Sequence, residues 1–437
     1  MNRPVSAASE VSAPGAVAAP TESLYAWARL LASLLLMTIG GSGMYAVTVV
    51  LPRIQQEFGV ARADASLPYT LTLIGFGFGG VLMGKLADRY GVIAPVLLGT
   101  VGLSGGFIAA GMAGGIGAFA IVQGLLIGAL GTSATFAPLV ADTALWFTRR
   151  RGIALGICMS GNYVAGAVWP PIVQHFIDTS GWRATYIGIG VFCLVTMLPL
   201  ALVLRRRPPA LVATPARAAE RGASPSARAG ERPLGMSPGL LQGLLCVAGV
   251  ACCVAMSMPQ VHIVAYCGDL GFGAARGAQM LSLMLGMGVV SRLASGWISD
   301  HIGGLRTLLL GSLLQGCALL MFLVSDGMAQ LFVISALFGL FQGGIVPSYA
   351  LIVREYFTPA QAGARVGTVL MATLFGMALG GWMSGAIFDL TGSYRAAFLN
   401  GIVWNLLNLT IVLWLLWRVR QLARPGAAHS TQNPAAS

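Results

Sequence analysis

The chain is predicted to be an all-α integral membrane protein: twelve transmembrane helices in two pseudo-symmetric six-helix bundles. Three features carry that prediction. Only 9% of the 437 residues are charged and 56% are hydrophobic, with a mean hydropathy of +0.79, whereas soluble domains carry about 25% charged residues. Apolar runs recur from Leu30 to Trp417, each of roughly 20 residues, enough for a helix to cross a hydrocarbon layer about 30 Å thick. Matching signatures near both membrane faces repeat at an offset of 211 to 212 along the chain.

Taken in order, the spans are 29–52, 66–86, 92–113, 117–146, 151–177, 183–204, 239–265, 275–299, 305–324, 329–356, 362–388 and 395–418. The first contains the flexible run GGSG at 40–43, and the fourth stops at the arginines 149–151. The fifth holds Pro170 and Pro171, where a bend is expected, and the sixth stops at Arg205 to Arg207. The seventh contains Pro259, which predicts an interrupted helix with freed carbonyls. Alternating segments of the barrel type are absent, so every backbone polar group has to be satisfied within helices.

Domain boundaries follow from the spans. Residues 1–24 and 419–437 read as disordered cytoplasmic tails, and 25–204 and 239–418 as the two bundles. The stretch 205–238, rich in Arg, Pro, Ala and Ser, reads as a cytoplasmic linker. The amino-terminal segment has no apolar core before Leu30, so it is a tail and not a signal peptide.

The net charge of +12 invites a nucleic-acid reading, which its placement removes. Of the 26 Lys and Arg residues, Arg53, Arg62, Arg183, Arg276 and Arg395 fall outside, Arg292 falls within a span, and the other twenty lie in inner segments or span ends. That is the positive-inside asymmetry; it orients both termini to the cytoplasm of a cell inner membrane. Seven cysteines lie in or beside apolar spans with no C-x-x-C and no histidine at ligand spacing. They read as small apolar fillers, with no metal site.

GKLADRYG at 84–91 and GWISDHIG at 296–303 share G-x-x-x-D-x-x-G at an offset of 212, and Asp178 with GWR at 181–183 recurs as Asp389 with GSYR at 392–395. Duplication around a central pathway is the architecture of many secondary transporters. In particular, Gly84, Asp88, Arg89 and Gly91 match the G-x-x-x-D-R-x-G loop between helices 2 and 3 of the major facilitator superfamily, which the chain resembles over nearly all of 25–420. Gly84 lets a neighbouring helix approach. Asp88, at a helix end, can accept hydrogen bonds from the amino terminus of a helix in the other half and hold the cytoplasmic side shut. Gly296 and Asp300 are the equivalents in the second half, with His301 in place of the arginine. The plainer reading is that these charges only fix topology.

Arg292 lies eight residues before Asp300, about 12 Å from the cytoplasmic end and close to the bilayer centre. It costs at least about 2.5 to 3.5 kcal/mol there. Its repeat mate is Gly80, so one half carries a charge where the other carries none. One reading is a guanidinium facing the central cavity and gripping a carboxylate with both prongs. The other is an arginine that snorkels towards the cytoplasm or pairs with an acid such as Asp142.

A second resemblance bears on this. WFTRRRGIALGICMSG at 146–161 is similar to the fifth-helix signature of the monocarboxylate transporter family, and Arg292 falls where that family and the oxalate/formate exchangers place a substrate-contacting arginine in helix 8. There are departures. Helix 1 has no lysine around Val47 to Val50, and helix 11, MATLFGMALGG at 371–381, lacks the exchangers' second cation. One cation suits one carboxylate.

Helical depth and neighbouring helix breaks add Asn162, Tyr163, Trp169, Tyr45, Gln260, His262, Tyr266, Gln342 and Tyr349 as cavity candidates, each of which could instead be interhelical glue. Asp142 is the candidate proton or charge-pair site, neutralising Arg149 or Arg292 if it is not titrating. The resulting expectation is a monomeric secondary transporter with no cofactor and no enzymatic activity. It would move a small organic anion, a monocarboxylate, with a proton by alternating access through the lipid bilayer. The alternatives are an importer of a vitamin or aromatic anion, stacked on Trp169, Tyr163 and Tyr266, or a drug or metabolite efflux antiporter. The antiporter is disfavoured because SGNYVAGAVWPP at 160–171 stands where exporters usually carry G-P-x-x-G-G. A membrane sensor would need a signalling domain that the chain has no room for.

Overall fold

The structure is a computed structural model and describes residues 23–147, 150–206 and 233–422. The two tails and most of the linker expected from the sequence lie outside these residues. Among the described residues, twelve helices are long and apolar enough to cross a membrane and no strand occurs. They are α1 (Leu24–Phe58), α2 (Arg62–Tyr90), α3 (Ile93–Gly111), α4 (Ile116–Trp146), α5 (Arg151–Ser180), α6 (Trp182–Val203), α7 (Pro238–Asp269), α8 (Ala274–Ile302), α9 (Gly304–Val324), α10 (Met328–Tyr356), α11 (Pro359–Thr391) and α12 (Tyr394–Leu422). Twelve crossings bring the start of α1 and the end of α12 to the same side, here called the near face; the other is the far face.

Each expected span is found, most with one to several further residues at the ends. Those additions matter, because they bring Arg62 and Asp389 into helices. The duplication also appears in the packing. In the first half α1 packs on α5, α2 on α4 and α3 on α6; in the second half the corresponding α7–α11, α8–α10 and α9–α12 pairs form. The repeated glycines share a backbone role. Gly91 and Gly303 end α2 and α8 at φ +82°, and Gly181 and Gly392 end α5 and α11 at +78° and +66°, a region open to glycine at no steric cost.

One expectation is corrected. α7 runs unbroken through Pro259, because a proline removes only one backbone donor and packed neighbours can hold a membrane helix straight around it. The interruptions fall elsewhere: α1 divides at Gly41, inside the expected GGSG run, and α10 divides at Gly343 and Gly344. In α4 the turns from Gln123 to Thr132 are π-wound, a form often found at functional sites.

Close packing within each half depends on bare backbone. A Cβ on Gly75 would sit 2.1 Å from the Gly124 carbonyl oxygen, and one on Gly339 would sit 1.9 Å from that of Met284. Gly339→Ala is therefore expected to force α8 and α10 apart and to destabilise the protein by about 1–3 kcal/mol, read as a lower melting temperature in detergent. An unchanged melting temperature would mean that this seam is looser than drawn.

Between the halves, α2 packs on α11, α5 on α8 and α1 on α7. These seams close towards the far face and part towards the near one. On α2, a Cβ at Gly77 would strike Met371 of α11 at 2.6 Å, but at Gly80 and Gly84, further towards the near face, it would meet nothing within 4 Å. On α8, Gly288 lies against Tyr163 of α5, whereas Gly296 again faces no atom within 4 Å. The molecule is thus shut on the far side and divided on the near side.

Candidate functional site

Arg292 sits where α5 and α8 separate. Its guanidinium carbon lies 4.7 Å from the ring centroid of Tyr163, and Nη1 reaches the Met159 carbonyl at 3.4 Å. Nε is buried and has no hydrogen-bond partner, and no carboxylate among the described residues forms an ion pair with this side chain. The two buried arginines among the described residues, by contrast, are matched: Arg29 pairs with Asp142 and Arg62 with Asp269. An aromatic face offers a cation about 0.5–2 kcal/mol, less than the roughly 2.5–3.5 kcal/mol that an arginine costs at the centre of a bilayer. Arg292 is thus an electrostatically unmatched cation at the head of the cleft.

Two glycines build its surroundings. Gly288 leaves room for the Tyr163 ring, which a Cβ would strike at 2.5 Å, and Gly166 leaves room for the Tyr45 ring, 2.8 Å from the corresponding position. Tyr45 then donates from its hydroxyl to Asn162 Oδ1 at 3.4 Å. Arg292, Tyr163, Asn162 and Tyr45 are therefore gathered around the α1–α5–α8 seam. The two glycines escaped sequence reading, since nothing local distinguishes them from the chain's other glycines.

The remaining candidates are placed elsewhere or engaged. Gln260 donates to Gln342 Oε1 at 2.9 Å, leaving the buried Gln342 Nε2 unpartnered. Gln342 directly precedes the α10 break, where Gly343 lies against Gly288 and Ser291 of α8, so this amide pair adjoins the Arg292 segment. Trp169 donates from its indole to the Thr38 carbonyl at 2.8 Å and meets Phe192 edge-on. It lines an apolar groove of about 440 Å³ between α5 and α6 with Ile172 and Phe176, both exposed. Tyr349 donates to Asn408 at 2.9 Å inside the second half. Tyr266 donates to Asp326 at 2.9 Å near the far face. In the loop after α9, Asp326 also accepts from Arg395, and these two bonds hold its carboxyl below the ordinary range. It therefore stays charged through neutral and mildly acid pH, and the tie is lost only when pH falls through that lowered value.

Asp142 has a partner that the sequence reading did not name. Arg29 Nη2 and Nε donate to its two oxygens at 2.8 and 2.9 Å, and the residues are 2% and 6% exposed. Trp146 covers the guanidinium at 4.6 Å. Among the described residues Asp142 thus pairs with Arg29 and not with Arg292; Arg149 lies outside the described residues.

At the near face, no hydrogen bond or ion pair among the described residues joins Asp88 to α11, and Asp300 is exposed. Arg89 rests over Tyr90. The reciprocal contact is made at the far face. Asp389, at the end of α11, accepts from the backbone N–H groups of Arg62 and Ala63 at the start of α2, at 2.9 and 2.7 Å. Arg62 adds bonds to both oxygens of Asp269, to the Tyr394 hydroxyl at 2.7 Å and to Gln55 at 2.9 Å, with its guanidinium over Phe388. His262 is buried beside this latch, between Gly381 and Tyr394.

The sequence matches the profile described as Major Facilitator Superfamily over residues 31–329 and 297–435. It is 27% identical over 344 residues to Monocarboxylate transporter 13 of Rattus norvegicus, covering 76% of this chain and 74% of that one. To Monocarboxylate transporter 11 of Mus musculus it is 25% identical over 391 residues, covering 87% and 85%. Among solved structures it is similar to a bacterial homolog of the human lysosomal transporter Spinster in an inward-facing, occupied conformation. The TM-score is 0.68 at 15% identity, covering 91% of this chain and 97% of that one.

Proposed function

Because the chain belongs to the major facilitator superfamily, we propose that this transporter carries a small organic anion, a monocarboxylate, bound at Arg292. The observation that carries the reading is the unmatched guanidinium at the head of the cleft, with Tyr163 beneath it and the Tyr45–Asn162 pair across the seam. A carboxylate would bring two acceptors to a planar fork and cancel a charge that the protein leaves open. A single cation favours one carboxylate. Trp169 and Tyr266, which made an aromatic anion attractive, are engaged away from Arg292, and this favours a small acid. The names of the two animal relatives agree with that class.

Alternating access is supported by reciprocity. α2 and α11 each carry an acid near their carboxyl end, Asp88 and Asp389; Asp389 meets the amino terminus of α2, and Asp88 would meet that of α11 once the near side closed. Here the Asp389 contact is made and the Asp88 contact is not. Rocking the halves would exchange one for the other, with Gly84 and Gly296 facing the gap that closes. The positive-inside count supports a cytoplasmic near face, which fits an inner-membrane carrier.

The test is uptake of labelled lactate-like acids by purified protein in proteoliposomes. Saturable uptake is expected, competed by other monocarboxylates in preference to dicarboxylates and stimulated by an alkaline interior. A folded preparation that neither binds nor moves any monocarboxylate would end this reading.

A further inference from the structure

The far-face latch contains a hydrogen-bond chain whose directions are dictated by its ends. His262 is fully buried, with Nε2 at 2.8 Å from the Gly381 carbonyl oxygen and Nδ1 at 3.3 Å from the Tyr394 hydroxyl. A carbonyl only accepts, so Nε2 carries a hydrogen. The Tyr394 oxygen accepts from Arg62 Nη1 at 2.7 Å, and a guanidinium only donates. The Tyr394 hydroxyl can then donate to Nδ1, and in that arrangement the series Arg62 to Tyr394 to His262 to Gly381 is complete with a neutral imidazole whose Nδ1 accepts.

A proton on Nδ1 breaks that series. Two donors would converge on one phenol oxygen, the hydroxyl hydrogen would lose its acceptor, and a second positive charge would lie beside Arg62. The acids around the ring are already engaged. Asp269, on α7 itself, is held by both Nη atoms of Arg62, and Asp389 of α11 is held by two backbone N–H groups. Tyr266, one turn along α7, donates to Asp326, which stays charged beside Arg395 of α12. From α1 the latch receives only the uncharged Gln55. A cavity of about 590 Å³ at the far face, lined by Arg53, Arg62, Gln174, Val264 and Asp269 among others, brings solvent to the outer side of this network.

We propose that His262 is a proton-binding switch for the far gate. Neutral, it locks the latch; protonated, it releases it, so acid shifts the carrier towards a far-side-open state. The inference rests on the alternating-access reading above and not on the identity of the cargo.

The test is a distance measurement by double electron–electron resonance on the full chain in nanodiscs. Spin labels are placed at Gln56→Cys and Ala275→Cys, on opposite sides of the far cleft. Cys246 and Cys317, the two cysteines that are not buried, are replaced by serine. On going from about pH 8 to about pH 4, a range that extends well below the ordinary titration of histidine, the long-distance population is expected to grow severalfold. In His262→Gln, which stays neutral, it should remain small at both pH values. In Tyr394→Phe, which cuts the series without adding a charge, it should be large at both. A pH response that survives in folded His262→Gln protein would overturn the proposal, as would an unlabelled gel-filtration profile and distance distribution in Tyr394→Phe matching the parent at both pH values. Because this readout needs no cargo, separate binding measurements would show whether Arg292 still captures a monocarboxylate when the switch fails.

Discussion

Replacing Arg292 by alanine is expected to abolish substrate capture while leaving the protein at least as stable as before. Removing one partner of a desolvated, hydrogen-bonded charge pair costs about 2–5 kcal/mol of binding, or roughly thirty-fold to a few thousand-fold in affinity. The stability effect has the opposite sign. In the unloaded protein this guanidinium has no acid and an unpartnered Nε, so its removal relieves an insertion cost of at least about 2.5–3.5 kcal/mol in exchange for the contact with Tyr163. Arg292→Lys keeps the charge but loses the fork, and should fall between the parent and the alanine variant. Binding by calorimetry and melting temperature in detergent measure the two effects on one preparation. Undiminished uptake by folded Arg292→Ala would make this arginine a scaffold residue.

Asp142→Ala should do the reverse, destabilising the fold without touching the site directly. Arg29, 2% exposed, would be left as an uncompensated charge, a change that typically costs about 3–5 kcal/mol. The pair also anchors a corner where three helices end. Arg29 of α1 donates to the Arg206 carbonyl beyond α6, and Tyr25 donates to the Val203 carbonyl. Exchanging both members together, as in Arg29→Met with Asp142→Leu, should restore much of the lost stability. A double variant no more stable than Asp142→Ala would show that the anchoring bonds, and not the orphaned charge, dominate.

These two arginines show what a sequence can and cannot reveal. Spans are legible, because apolar runs of helical length announce them and helical rise converts position along a span into height. Which way a side chain faces is not, because it depends on neighbours remote in the chain. Asp142 was matched to basic residues near it or deep in the bundle, and its partner is 113 residues away on α1. Tyr349 and Tyr266 were read as cavity residues by depth, yet Asn408 and Asp326 hold them in contacts that no local pattern announces. The repeat was legible at both faces. The position matching Arg62 is Ala274, and the arginine nearby, Arg276, bonds to Gln279 of its own helix, so the Arg62 contacts of the far latch are not repeated there.

The open charge at Arg292 bears on kinetics as well as affinity. Sealing the cleft on both sides with nothing inside would enclose a bare cation in a medium of low polarisability, whereas a seated carboxylate neutralises it first. If Arg292 holds the cargo as proposed, the empty carrier would face the steeper passage and its return stroke would be the slow leg of the cycle. Flux would then quicken whenever cargo waits on the opposite side, as electrostatics alone would favour swapping anions over one-way movement.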